Sequence, residues 1–323
     1  MGWWDLSTDT LAGSRFLVSP LAEAIAALKM LERGTAAYPS ERAWLDVHLP
    51  AYRKRLAGDP ITALTVRSAL GRTWNADFLT PTPAHEGEAT FTEEVRAVRE
   101  APPAAARDDL TVSLGGPLPA ELHRDDLPER TAGLLEWVWT HAVLPDWPRR
   151  RRIMEADVVA RTAQLSRGGW AEALDGLRPG MRWLGGSRLQ INTHDYPPRR
   201  VSGARLMFVP VTPRHAWVSW DETRRRFALV YPCSGTLVGA GAPAPEGLGR
   251  LLGPARAGVL VLLETPMSTT QLVALTGQGL GSVGRHLKVL LDARLVERRR
   301  AGRSVLYYRT TAGEVLVAAQ RDG

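Results

Sequence analysis

The carboxy-terminal part of this 323-residue chain carries the pattern that most restricts its fold. Pro254, suited to a first helical position, opens a helix through Leu263. Ser268 then caps a short helix over Thr269 to Thr276, and Gly277 is placed to end it in a left-handed conformation. The next helix, about Leu280 to Ala293, has Val283, Leu287, Leu290 and Leu291 at i, i+4, i+7 and i+8, a single apolar stripe. Leu295 to Arg299 and Ser304 to Tyr308 are strand-like runs flanking a turn at Gly302, and a last helix spans about Ala312 to Gln320. Two short helices around a glycine turn, followed by a hairpin, describe a winged helix-turn-helix.

Charge separates this tail from the rest. The chain carries a formal +7, and from Gly249 onward eleven basic residues face five acidic ones, which leaves the first 248 residues nearly neutral. A neutral body with a cationic tail points to a polyanion met by the tail alone. Each part of the tail suits duplex DNA. The helix beginning at Thr269, with Thr270 and Gln271, offers free N–H groups and small polar side chains to a phosphate. On the second helix Gly281, Ser282, Gly284, Arg285, His286 and Lys288 lie off the apolar stripe. Ser282 and Arg285 are the expected base-edge contacts, and Lys288 with Arg299, Arg300, Arg303 and Ser304 the expected phosphate contacts.

The stretch Val283-Gly284-Arg285-His286-Leu287-Lys288-Val289-Leu290 resembles the recognition helix of the arsenical-repressor (ArsR/SmtB-type) family, and Leu295-Val296-Glu297-Arg298-Arg299-Arg300-Ala301-Gly302-Arg303 resembles its wing. The resemblance spans Leu275 to Tyr308 and implies a homodimeric transcriptional regulator, usually a repressor released by a ligand, and the single cysteine fits a reducing cytoplasm. Where metal-sensing members carry cysteines this chain has Thr270-Gln271-Leu272-Val273-Ala274, and Gly313 to Gln320 lacks the Asp and His of others, so metal sensing is not implied. Gly279, Gly281 and Gly284 crowd the start of the second helix, where each interior glycine costs roughly 1 kcal/mol against alanine. The body resembles a poorly characterised domain that precedes such winged helices in actinobacterial regulators. Arg15-Phe16-Leu17-Val18-Ser19-Pro20-Leu21, Asp77-Phe78-Leu79-Thr80-Pro81 and Leu229-Val230-Tyr231-Pro232 carry that likeness, and Cys233-Ser234 departs from it.

The expected architecture is α+β, mainly α. Residues 1–238 form a body, helical over 1–178 and strand-rich over 179–238, with a small antiparallel sheet. Residues 239–247, alternating Gly and Pro with Ala, read as a linker, and 248–323 as the winged helix. Helices are expected over about 20–32, 41–57, 60–71, 91–100, 128–143 and 148–177, with 78–89 and 101–127 as loops. Strands are expected at Arg182-Trp183, Leu189 to Ile191, Arg205 to Val211, Ala216 to Trp220 and Arg226 to Tyr231. The body is expected to dimerise, to sense an effector, or both. Among 11 tryptophans, Trp44, Trp74 and Trp137, with Phe78, are the expected lining of a pocket for a small apolar effector.

Other signals point to less. No cofactor or metal is expected: Cys233 is the single cysteine, and His48, His85, His123, His141, His194 and His215 are scattered without ligand spacing. His194-Asp195 lacks a nucleophile signature, so no catalysis is expected; the alternative is a catalytic body with a nucleic-acid-targeting tail. No apolar run is long enough for a membrane span, and the start Met1-Gly2-Trp3-Trp4 fits neither a signal peptide nor, with Leu6, a myristoylation site. Gly279-Leu280-Gly281-Ser282-Val283-Gly284 has the spacing of a dinucleotide loop, yet only 26 residues follow Glu297, too few for the rest of that fold. Arg149 to Arg152 read as a solvated helix face.

Overall fold

A computed structural model describes residues 2–36, 39–71, 73–85, 87–174, 177–178, 180–192, 197–233, 244–263, 266–276, 278–301 and 304–319. They form two compact units: Met1–Pro148 with Gly168–Pro232, and Arg149–Arg167 with Cys233–Gly323.

The first unit begins with β1 (Trp3–Leu6), α1 (Thr8–Ala12) and β2 (Arg15–Phe16), followed by α2 (Pro20–Arg33), α3 (Pro39–Ala57), α4 (Pro60–Ala69), α5 (Phe91–Arg99), α6 (Pro103–Leu114) and α7 (Leu127–Val138). Helix α2 is the centre of the helical part. Its residues from Leu21 to Leu31 are all buried, which suits a helix apolar on every side. Ser19 caps it by accepting from Ala22 N, Pro20 takes the first turn, and Gly34 closes it at φ +60°. Two charged side chains are buried with it. Glu23 accepts at 2.8 Å from the backbone N–H of Thr212, and Lys29 donates to Asn75 Oδ1 at 3.1 Å. A buried polar group of this kind is costly without such a hydrogen-bond partner.

After α8 (Trp147–Leu174) come β3 (Arg182–Gly185), β4 (Arg188–Gln190), β5 (Arg199–Val201), β6 (Arg205–Val211), β7 (Trp217–Asp221) and β8 (Arg226–Pro232). Two four-stranded sheets result, ordered β3-β4-β1-β5 and β2-β6-β8-β7. The expected small antiparallel sheet is therefore corrected: β6 pairs parallel with β8 and with β2, and β1 parallel with β5. The cause lies in β7. It forms an antiparallel hairpin with β8 but sits at the edge, so β8 enters between β7 and β6. Trp4, Leu6, Leu189, Phe208, Leu229 and Tyr231 belong to one buried cluster joining both sheets.

Four further expectations change. Helix α6 occupies residues expected as loop, because Pro103 stands at its start, where proline is tolerated, and Gly115 at φ +65° ends it. The expected helix over 128–143 widens out of α-geometry after Val138, into a π-helical turn over Trp139–Val143. Helix α8 breaks at Gly169, φ +69° and ψ −170°, a backbone state that glycine accepts freely. Its arginines are not all solvated. Arg149 and Arg150 are buried, on the face shared with Ile153, Met154, Asp157 and Arg161, while Arg151 pairs outward with Glu155 at 2.7 Å. Helical period, not the charge run, decides which arginine goes inside.

In the second unit α9 (Glu246–Leu252) starts within the expected linker, and Leu248 is fully buried. Residues 239–243 lie outside the described residues. Then follow α10 (Pro254–Leu262), β9 (Met267–Ser268), α11 (Thr269–Thr276), α12 (Leu280–Asp292), β10 (Val296–Ala301), β11 (Ser304–Arg309) and α13 (Thr311–Ala318). The sheet order is β10-β11-β9. Leu248, Leu260, Leu272, Val283, Leu287, Leu290, Val296 and Val317 form its core. The dinucleotide spacing is not realised, since α11 rather than a strand precedes Gly279.

Candidate nucleic-acid interface

Helix α11 opens on a reciprocal cap. Ser268 Oγ accepts from Gln271 N at 3.3 Å, and Gln271 Oε1 accepts from Ser268 N at 2.7 Å. Gln271 is buried and its amide is used in this cap, so of the three residues expected here it does not offer its side chain outward. Thr270 is exposed and Thr269 half-buried.

Helix α12 presents the stripe expected for it. Val283, Leu287 and Leu290 are buried, and Leu291 is half-buried. Gly281, Gly284, Arg285 and Lys288 are exposed. Their spacing of i, i+3, i+4 and i+7 puts them on one face, so two cations stand beside two positions with no side chain. Gly279 takes the cap position with φ −67° and ψ 151°, without a side-chain hydrogen bond. A methyl group built at Gly279, Gly281 or Gly284 would meet nothing within 4 Å. No packing among the described residues requires these glycines.

Ser282 and His286 behave differently from their neighbours. Ser282 Oγ donates to Gln278 Oε1 at 3.2 Å and lies 3.3 Å from His286 Nε2, and both residues are half-buried. They form a polar row along one side of α12. Sequence reading missed this row, although the i, i+4, i+8 spacing of Gln278, Ser282 and His286 was visible.

The hairpin pairs Arg298 with Tyr307, Arg299 with Leu306 and Arg300 with Val305. Side chains alternate along a strand, so Arg298 and Arg300 share the face of buried Val296, and Arg299 points to the other. All three arginines are exposed. The Arg299 guanidinium lies 5.1 Å from the centre of the Tyr308 ring, a contact that steadies its stem. Arg303, Gly277 and Gly302 lie outside the described residues; of Ser304 the backbone is described, paired with Ala301. Arg309 turns inward. It is buried, donates to Val261 O at 2.9 Å and pairs with Glu314 at 2.9 Å, joining the wing to α10 and α13.

The aromatic residues expected around an effector are not gathered. Trp74 lines a polar cavity of the first unit. Trp44 donates from Nε1 to Ala142 O at 3.3 Å, Trp137 lies 4.8 Å from the His141 ring, and Phe78 is buried with its N–H donating to Asp109. None of these three borders the cavity of Trp74. An apolar cavity of about 360 Å³ opens instead among Leu21, Ile25, Pro81, Pro83, Trp217 and Val230. At its edge His85 Nε2 lies 2.6 Å from Glu94 Oε1, which holds the imidazole pKa above its ordinary value.

Residues 254–298 match the family model described as "Bacterial regulatory protein, arsR family". The match runs from α10 into β10 and supports an ArsR-type helix-turn-helix in this segment, and with it DNA binding in transcription regulation. It does not reach the body, so the likeness read there has no support from it. No curated protein and no solved structure matches the chain. No helix among the described residues is long and apolar enough to cross a membrane.

Proposed function

We propose that the chain is a dimeric transcriptional repressor whose winged helix reads an inverted repeat and whose body holds an effector. One observation carries the reading. Helix α12 buries Val283, Leu287 and Leu290 and leaves Arg285 and Lys288 on its outward face, next to an arginine-rich hairpin. An exposed cationic helix face of this size fits a major groove, and an arginine on it can take guanine O6 and N7 together. Dimerisation follows from the reach of one such helix, which covers few base pairs, so that two half-sites supply the specificity. An effector would act by binding the DNA-competent and DNA-incompetent states with unequal affinity.

The test is selection of binding sites from random duplex DNA with the full chain. The expected product is an inverted repeat with half-sites about 10 base pairs apart. Arg285→Ala should weaken the selected site by about 1–3 kcal/mol and relax the preference at one base of each half-site. Lys288→Ala should weaken all sequences alike and flatten the salt dependence by about one ion. Failure to enrich any sequence, or an unchanged site preference in Arg285→Ala, would overturn the reading.

A further inference from the structure

The first unit holds a second cavity, of about 180 Å³, and most of the charged groups that line it are cationic. Its lining includes Lys29, Arg33, Asp77, Arg178, Trp74 and Trp220. Arg178 is the unusual member. Its Nη1 is buried with no hydrogen-bond partner, and burial pulls its pKa below the ordinary arginine value. Lys29 is buried too. Among the described residues its one hydrogen-bond acceptor is the neutral amide oxygen of Asn75, with the Trp217 ring 5.1 Å away. Burial, then Arg33 and Arg178, push it down to about 7. Arg33 is exposed, with its Nη1 3.3 Å from His215 Nδ1. That imidazole is pushed down to about 3 by burial and by Arg33 and Lys29. The single carboxylate among the described lining residues, Asp77, is itself pushed up to about 6 by burial and by Asp109, with Arg199 acting the other way.

Among the described lining residues these groups form a net positive, partly desolvated recess, three cations facing one carboxylate. Buried guanidinium and ammonium groups are stable when an anion completes them. The walls define the remainder of that anion. Trp74, Asn192, Val218 and Trp220 also line an adjoining cavity of about 370 Å³, where Trp3, Trp4 and Pro198 add apolar surface. Trp74 and Trp220 meet edge to face at 5.1 Å. A cavity of roughly 150 Å³ holds one benzene ring, so the two recesses accommodate a planar ring and its charged group.

We propose that this cleft binds a small aromatic anion, its carboxylate or phosphate on Arg178 and Lys29 and its ring in the adjoining recess, against the edges of Trp74 and Trp220. Arg178 supplies a fork matched to a carboxylate or phosphate, and Lys29 a point charge beside it. Arg33, at the exposed edge, is the first cation that an incoming anion meets. This assignment deepens the reading of the body as an effector domain and rests on it for its biological meaning. Binding itself is measurable with no DNA present.

The experiment is calorimetric titration of the full chain, free of DNA, with benzoate, phenyl phosphate, the neutral isostere benzamide, and inorganic phosphate. Benzoate or phenyl phosphate should bind at least tenfold more tightly than benzamide and than inorganic phosphate. The better of the two identifies the anionic group. Arg178→Gln should weaken that ligand at least tenfold, and Arg178→Lys should restore part of the loss. Equal binding of benzamide overturns the anion, and equal binding of inorganic phosphate overturns the ring. No binding by either aromatic anion at about 10 mM, or an unchanged affinity in Arg178→Gln, overturns the site. The comparison of benzoate with benzamide needs no variant, so a poorly folded Arg178→Gln protein leaves the proposal testable. Loss of the site with intact DNA selection would count against this inference alone, and the converse against the DNA-binding reading alone.

Discussion

Gly284→Ala gives the sharpest single perturbation of the α12 surface. The position is helical, its backbone is not in the left-handed region, and a methyl group there would meet nothing within 4 Å. No steric penalty therefore offsets the helix propensity, and the full difference between glycine and alanine, about 1 kcal/mol, should appear as added helix stability. That value lowers the local opening constant about fivefold at room temperature. Hydrogen exchange measured by mass spectrometry on peptides covering residues 280–292 of the full chain should slow by that factor. Gly281→Ala should act similarly, whereas Gly279→Ala, at a cap where glycine outperforms alanine, should bring no gain. The effect on DNA runs the other way. Helix α12 is formed without DNA, so further ordering adds no affinity, and the methyl group stands on the outward face with Arg285 and Lys288. Specific binding should weaken while the helix becomes more stable. Faster exchange in Gly284→Ala, or slower exchange together with tighter binding, would refute this reasoning.

Two further variants test the packing behind the surface. A methyl group at Gly313 would lie 2.2 Å from the backbone oxygen of Leu295, which no side-chain movement can relieve; Gly313→Ala should cost about 1–3 kcal/mol, seen as faster exchange across β10 and β11, and unchanged exchange would contradict it. In the first unit the hydrogen bond to Glu94 raises the His85 pKa above 6.5, so its stabilising contribution is fully present below that value and fades as pH rises through the raised one. The stability deficit of His85→Gln in urea should therefore be larger at about pH 5.5 than at about pH 9; equal deficits would contradict the link.

The tail was legible because each of its elements carries its own local signal. Pro254, the Ser268 cap and the spacing of Val283, Leu287 and Leu290 each specify helix starts or a buried face without reference to distant residues. The body was less legible where pairing partners lie far apart. Strand β2 has two residues, too few for any period, and exists because Arg15 and Phe16 pair with Met207 and Phe208. The parallel β6–β8 pairing depends on where β7 lies, which its composition does not encode. Among the candidate site residues, the exposure of Arg285 and Lys288 followed from period alone, but the burial of Gln271 did not. A polar residue in the first helical turn suits solvent and a reciprocal cap equally, and only its burial decides. The cationic cleft gave no signal in sequence, since Lys29, Trp74 and Arg178 come from separate elements.

The central claim is that α12 and the hairpin after it form the surface that meets DNA. Hydrogen-exchange mapping of the full chain, with and without a selected duplex, tests it directly. The account predicts slower exchange over residues 280–292 and 296–309 on DNA binding, lost in the Arg285→Ala, Lys288→Ala double variant. Protection confined to the body, with these residues unchanged, would contradict it.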